Sequence, residues 1–284
     1  MKHILVPTDF ERPSEWACEV AGIIANRLKA EITLLHVIEQ PYSESFNAMG
    51  EADLEGYTWE DKLYTMKLIE KNKRKLEEAA ARLEGQGIKV NQKLRMGNPF
   101  HSIRAVTTDH QIDLIVMGTS SSELWEGTTG ASNAERIVRL AYCPILSVHN
   151  RCSDFANIKD IVYATSVSED ESAFSDIVQQ AQSIFGAKIH LVRINTPMNF
   201  LPDDKVKKLM QGFATKNRLQ NYTLNAFSDY NEEHGIVNFA NSINAGLIAM
   251  ATHGRTGIAR ILAGSIAEDV VNRSSRPVLT GVVK

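Results

Sequence analysis

The chain has 284 residues, 43% of them apolar and 23% charged, which suits globular protein with room for about two domains. Its 31 basic and 34 acidic residues leave a net charge of -3, so no positive field recruits nucleic acid or an anionic membrane surface. Cys18, Cys143 and Cys152 form no CxxC pair, which argues against a disulfide framework or a zinc site and fits a reducing cytoplasm.

In chain order, "MKHILVPTDF" reads as a strand that ends at a proline and an aspartate, too short for a signal peptide or a membrane span. Behind Pro13, Trp16, Val20 and Ile23, with Ala17, Ala21, Ile24 and Leu28, recur at helical spacing. "AEITLLHVIEQP" supplies a second strand, and Met66, Ile69, Leu76, Ala80 and Leu83 mark a longer helix with alternating charges on its other face. "DLIVMGTSS" and "CPILSV" complete the run of strands.

The pattern then repeats. "DIVYATSV" matches "HILVPTDF" and "AKIHLVRINTP" matches "AEITLLHVIEQP", both at a shift of 157 (160 against 3). "GLIAMATHG" matches "DLIVMGTSS" and "RPVLTG" matches "CPILSV" at a shift of 133 (246 against 113), so the first copy carries 24 extra residues (157 less 133) around "YSESFNAMGEADLEGYTWED". The copies are expected as domains over 1–150 and 157–284, with the polar "HNRCSDFANIK" at their boundary. Strands that are apolar on consecutive residues are buried on both faces, which predicts an α/β fold of two doubly wound, parallel, five-stranded sheets in tandem. Ligands of such sheets bind in the crevice at the carboxyl ends of the strands.

At that edge of the second copy stands "THGRTGIARILAGS". Glycines there let a phosphate approach the main chain, and Gly264-Ser265 opens a helix whose N–H groups favour an anion. Neither GxxxxGK[ST] nor GxGxxG is present. The stretch resembles the universal stress protein family, whose loop runs Gly, two residues, Gly, nine residues, Gly-Ser/Thr; Gly254, nine residues and Gly264-Ser265 fit it. "RPVL" and "ILVPTDF" are similar to that family too, and the resemblance covers both copies, identifying a tandem universal stress protein of adenine nucleotide alpha hydrolase-like, HUP-type fold.

The resemblance implies ATP or AMP, with magnesium an option alongside ATP, bound with phosphates on the glycine loop and adenine near the ends of the first and second strands. Carried onto the second copy, it selects Ala164, Thr165, Ser166, Ile194, Met250, Thr252, His253, Gly254, Arg255, Gly257, Gly264, Ser265 and Ile266. In the first copy it selects Pro7, Thr8, Asp9, Val37, Gly118 and Ser132. Each copy departs from the motif. The second has Ala251 for the first glycine and Ser166 for an aspartate that usually helps hold the nucleoside; the first keeps Asp9 and Gly118 but has Ser121 and Ala131 for the other glycines. The second copy is the preferred site, because main-chain contacts to phosphate outweigh one carboxylate.

Plainer roles compete at several positions. Gly254 and Gly257 serve equally as turn residues, Ser265 as a helix cap, Arg255 and Arg260 as surface arginines, His253 as a solvated loop residue, and Asp9 as an acceptor for N–H groups before the first helix. His36 and Arg193, at matching places on the second strands, are expected to have no chemical role. No catalytic signature, metal-ligand set or loop lysine appears, so at most a weak ATPase is expected. The expected function is a cytoplasmic, nucleotide-binding stress-response regulator with an unidentified protein partner, its last strands joining the copies as an internal pseudo-dimer, with a homodimer optional. The rival is a nucleotide-free scaffold, or a binder of an apolar ligand, acting through protein contacts in which residues 42–62 take part.

Overall fold

A computed structural model describes residues 1–39, 59–119, 143–150, 154–167, 171–253 and 266–283. The chain forms two compact units, Met1–Val116 and Met117–Lys284.

In the first unit β1 (His3–Pro7), β2 (Glu31–Ile38), β3 (Val90–Met96) and the start of β4 (Leu114–Gly118) lie parallel in the order β3-β2-β1-β4. The connections are α1 (Arg12–Leu28), α2 (Trp59–Glu84) and α3 (Pro99–Asp109). Helix α1 starts as the sequence suggests, with a proline in its first turn, and ends at Lys29 in the left-handed region with φ 52°. It buries Ala17, Val20, Ala21 and Ile24. Helix α2 departs from a uniform apolar stripe: Leu76, Ala80 and Leu83 are buried, whereas Met66 is 66% exposed, so only the later turns of the helix pack on the sheet.

The second unit repeats this plan with β6 (Asp160–Ala164), α4 (Ser172–Phe185), β7 (Lys188–Asn195), α5 (Asp203–Lys216), β8 (Tyr222–Ser228), α6 (Glu232–Ser242), β9 (Leu247–His253), α7 (Ile266–Arg273) and β10 (Val278–Val283). Its strand order is β10-β9-β6-β7-β8, all parallel. Added to β10 is β5 (Ile145–Val148), the last strand of the first sequence copy, which runs antiparallel with Ser147 opposite Val278. The repeat extends to helix ends. Gly186, at φ 64°, ends α4 where Lys29 ends α1, and Asn98 and Asn231 cap α3 and α6 by accepting from the N–H of His101 and His234.

Consecutive apolar residues on the strands are explained by cover on both faces. Val162, Ala164, Val192, Ile194, Ile248, Met250 and Val278 pack with Ile236, Phe239 and Ala240 of α6 and Val270 and Val271 of α7. Between Val162 and Ala164, Tyr163 points to the other face, where its ring meets Phe174 of α4 at 5.8 Å and Phe213 of α5 at 6.0 Å. Its buried hydroxyl pairs with Ser175 Oγ at 3.0 Å, avoiding an unsatisfied polar group; burial pushes the phenol pKa up.

Close packing makes two helical glycines unlike. A Cβ on Gly235 of α6 would lie 2.5 Å from Ile194 Cγ2, while one on Gly212 of α5 would meet nothing within 4 Å. Gly235→Ala is therefore expected to cost about 1–3 kcal/mol by overpacking, and Gly212→Ala to gain about 0.5–1 kcal/mol from helix propensity. Urea unfolding of the two variants checks this; a shift of the same sign in both would refute it.

Candidate functional site

The carboxyl edge of the first unit is built on the turn after β1. Thr8, buried, donates its N–H to Leu35 O at 2.9 Å, and its hydroxyl accepts from Phe10 N at 3.1 Å and meets Ser14 Oγ at 3.1 Å. Ser14 Oγ in turn donates to Glu11 O at 2.9 Å. Pro7 and Val37, at the ends of β1 and β2, are half-buried, and Asp9 is exposed. Asp9 Oδ1 accepts from Glu11 N at 2.9 Å, the turn role considered for it above. The turn places Phe10 at φ 66°, a costly conformation for a residue with a Cβ.

His36 does more than was expected of it. Its Nδ1–H donates to Thr8 O at 2.7 Å and its ring lies 4.4 Å from that of Phe10, so it fixes the turn from the second strand. Lys75 Nζ stands 5.3 Å from the centre of the Phe10 ring. Burial lowers the His36 pKa below the ordinary 6.5, against the opposing pull of Thr8 and Asp9.

The same turn in the second unit is chemically rearranged. Thr165 Oγ1 accepts from Val167 N at 2.8 Å, and Val167 sits at φ 66° like Phe10. At the place of Ser14 stands Glu171 (171 against 14, a shift of 157). Its side chain, 1% exposed, accepts from Thr165 Oγ1 at 2.6 Å, Ser166 Oγ at 2.6 Å and Ser166 N at 3.1 Å. Ser166 itself is exposed. The carboxylate that the motif comparison finds missing is thus present behind the serine. Aligning the copies at positions 14 and 171 carried that signal.

The loop after β7 is closed by its own network. Arg193 donates to Asn195 Oδ1 and, at 3.0 Å, to Asn199 O; Asn195 Nδ2 reaches Leu201 O at 2.9 Å. Asn199 Oδ1 accepts from Thr196 N at 2.7 Å, and its Nδ2 donates to Glu232 Oε1 at 2.5 Å. Arg193 therefore braces this loop. Neither it nor the two asparagines were selected from sequence as site residues.

Ala164, Ile194, Met250 and Ile266 pack their side chains in the cluster against α6 and α7, so at the edge these positions offer main chain. Strand β6 lies against β9 with Ala164 opposite Met250; Ser166 and Thr252 follow two residues further along each. Among the described residues no hydrogen-bond partner reaches the buried Thr252 Oγ1 or that of Thr119, its match in the first copy. Gly118 ends β4 and His253 ends β9. Gly254, Arg255, Gly257, Arg260, Gly264 and Ser265, with Ser121, Ala131 and Ser132 of the first copy, lie outside the described residues, as do 40–58 of the extra segment.

Another buried polar group lies in the second unit. His149, 6% exposed, follows β5, and Thr119 donates its N–H to the adjacent Val148 O at 3.0 Å. Among the described residues no hydrogen bond of ordinary geometry reaches either ring nitrogen of His149. Burial lowers its pKa from 6.5, only partly offset by the main chain of Val271 and Thr119.

The class of protein is thus a tandem parallel α/β repeat with acceptor-lined turns after the first strand of each copy, at the carboxyl edge where open sheets of this kind leave a crevice. The universal stress protein family model matches residues 1–149 and again 157–281, and the chain belongs to that family. It is 30% identical over 147 residues to a universal stress protein of Methanocaldococcus jannaschii, covering 52% of this chain and 81% of that one. A second from the same organism is 28% identical over 158 residues, covering 54% and 97%. Among solved structures, a universal stress protein from Archaeoglobus fulgidus aligns over 99% of this chain and 96% of its own, with a TM-score of 0.74 at 18% identity. That likeness supports the fold. Among the described residues no helix is long and apolar enough to cross a membrane.

The two histidines make acid sensitivity testable. In the unfolded chain they take up protons near the ordinary 6.5, while their folded pKa values lie lower, so the folded state binds fewer protons. Their contribution is complete above 6.5 and is lost as the pH falls below it toward the folded values. The urea midpoint is expected to drop between about pH 7.5 and 5.5, and to drop less in His36→Phe or in His149→Val, the residue found at the matching Val282. An equal drop in all three proteins would refute the assignment.

Cys18 makes a second test. Burial, with Glu15 and Glu19 adding to it against Arg82, pushes its thiol pKa up to about 12. In the native protein Cys18 is expected to react with a disulfide reagent at about pH 8 far more slowly than in urea, since the thiolate is the nucleophile. Mass mapping of the labelled cysteine reads the outcome, and prompt native labelling of Cys18 would contradict it.

Proposed function

We propose that the chain binds an adenine nucleotide, AMP or ATP, at the carboxyl edge of its second copy and acts as a regulatory, stress-response module. The observation that carries this reading is the pair Ser166 and Thr252, two residues beyond the adjoining Ala164 and Met250. One is an exposed hydroxyl; the other is buried with no partner among the described residues, as Thr119 is in the first copy. Thr252 stands directly ahead of Gly254 in sequence, and an unpaired buried hydroxyl is costly unless something hydrogen-bonds it.

In this reading the nucleoside end lies by Ser166 and the main chain of Ala164 and Ile194. The phosphates meet Gly254, Gly264 and Ser265, on the sequence grounds given above, with magnesium accompanying ATP. Asp9 and Gly118 leave the first copy as a second, weaker site. Binding at this edge biases a surface for a protein partner. The chain works in the reducing cytoplasm as two domains, 1–150 and 157–284, and the antiparallel pairing of β5 with β10 supports a coupling of the last strands of the two copies.

A second reading, a scaffold acting through protein contact, is favoured by apolar side chains exposed near the ends of β7 and β8. Met198 is 99% exposed, Tyr230 89% and Phe200 63%.

Denaturing freshly purified protein and weighing any released nucleotide by mass spectrometry separates the two. Adenine nucleotide is expected from the native chain and from Ala131→Glu, and its loss is expected in Gly264→Glu. An empty native protein with no thermal shift on adding AMP or ATP supports the scaffold. Steady release of phosphate from ATP would instead mark a weak ATPase.

A further inference from the structure

Positions 9 and 14 of the first copy hold Asp and Ser; the matching positions 166 and 171 of the second hold Ser and Glu. The carboxylate and the hydroxyl have exchanged places. In the first copy the carboxylate of Asp9 is exposed, and Ser14 is tied behind it to Glu11 O and Thr8 Oγ1. In the second the carboxylate of Glu171 is buried and the serine faces out.

Buried at 1% exposure, Glu171 is out of reach of a ligand. It accepts from three donors at once: Thr165 Oγ1 and Ser166 Oγ, each at 2.6 Å, and Ser166 N at 3.1 Å. Hydrogen bonds to a carboxylate are short and strong, so the one proton of Ser166 Oγ is committed inward. A hydroxyl has a single donor and two acceptor lone pairs, and with its proton so held it can only accept from outside. Thr165 cannot rotate to relieve this, because its own oxygen already accepts from Val167 N at 2.8 Å. A serine that would otherwise donate or accept is thereby given the one-sided chemistry of the exposed Asp9.

We propose that Glu171 is a positioning residue that fixes Ser166 Oγ as an acceptor, so that the second copy selects ligands presenting an O–H or N–H donor at the end of β6. The proposal rests on the nucleotide reading, in which the donor is a ribose hydroxyl. The same arrangement disfavours an anionic group at that spot, because a second negative charge lies one hydrogen bond behind the serine. It therefore turns the phosphates away from β6.

Titration calorimetry of the full chain with AMP and its 2′-deoxy and 3′-deoxy analogues tests this. In the native chain at least one deoxy analogue is expected to bind about three- to tenfold more weakly than AMP, the worth of one hydrogen bond. In Ser166→Ala the ligands should bind within about twofold of one another. Glu171→Ala should leave AMP binding within about twofold, since a ribose hydroxyl can meet a free serine as donor or acceptor, but should raise binding of the 2′- or 3′-O-methyl analogue, which only accepts there, relative to AMP. Merely loosening the turn would weaken all ligands alike and leave their ratio unchanged. Should Glu171→Ala fold poorly, the double variant Ser166→Asp with Glu171→Ser, which rebuilds the first copy's arrangement, is expected to keep the native preference for AMP over its O-methyl analogue. Unaltered discrimination in Ser166→Ala, or none in the native chain, overturns the proposal when AMP binding itself is intact and is abolished by Gly264→Glu. No AMP binding, or binding indifferent to Gly264→Glu, overturns the nucleotide reading of the second copy and this proposal with it.

Discussion

A strand covered on both faces commits its side chains to packing, and β6 is such a strand. Val162 and Ala164 face α6 and α7 while Tyr163 faces α4 and α5, so every side chain of β6 but its first is committed to packing. Polar groups are thereby driven to the strand ends, where the chain turns and the main chain is free to meet a ligand. The same constraint explains why Gly235 must lack a side chain beside Ile194, and why Tyr163 pairs its buried hydroxyl with Ser175.

The turn after the first strand of each copy is where that constraint becomes chemistry. A threonine oxygen closes it and a non-glycine residue, Phe10 or Val167, is held at positive φ. Such conformations persist only where the surroundings over-determine them. In the first copy the surroundings are the His36 ring and Ser14; in the second they are the three hydrogen bonds into Glu171. One backbone shape is kept by two different sets of side chains, which is how a duplicated fold can diverge in chemistry while remaining the same fold.

Much of this was legible without coordinates. Two-sided apolar runs mark β1, β2, β4 and β5 with their counterparts, and the shifts of 157 and 133 mark the repeat, whereas the polar edge strands β3 and β8 carry no such run. By the motif alone Ser166 is a loss, because a motif compares like positions and the carboxylate lies five residues on. His36 and Arg193 carry no signal in the sequence because each works on main chain of a neighbouring loop, a contact that no spacing rule encodes. Periodicity puts Met66 on the apolar stripe, but it reports where a helical face points and not how much of that face is covered.

What the sequence by itself determined is therefore the repeating part: element type, strand burial, parallel α/β class, family, and which loops reach the carboxyl edge. These follow from local periodicity and from self-similarity, and both are properties of residue order. Tertiary structure alone decided that Ala164 and Met250 point into the core, that β5 runs antiparallel on β10, and that Glu171 folds back from the start of α4 onto Ser166. Those outcomes depend on which side chains meet across separate elements. That is set by the twist and packing of the whole sheet rather than by any one stretch of chain.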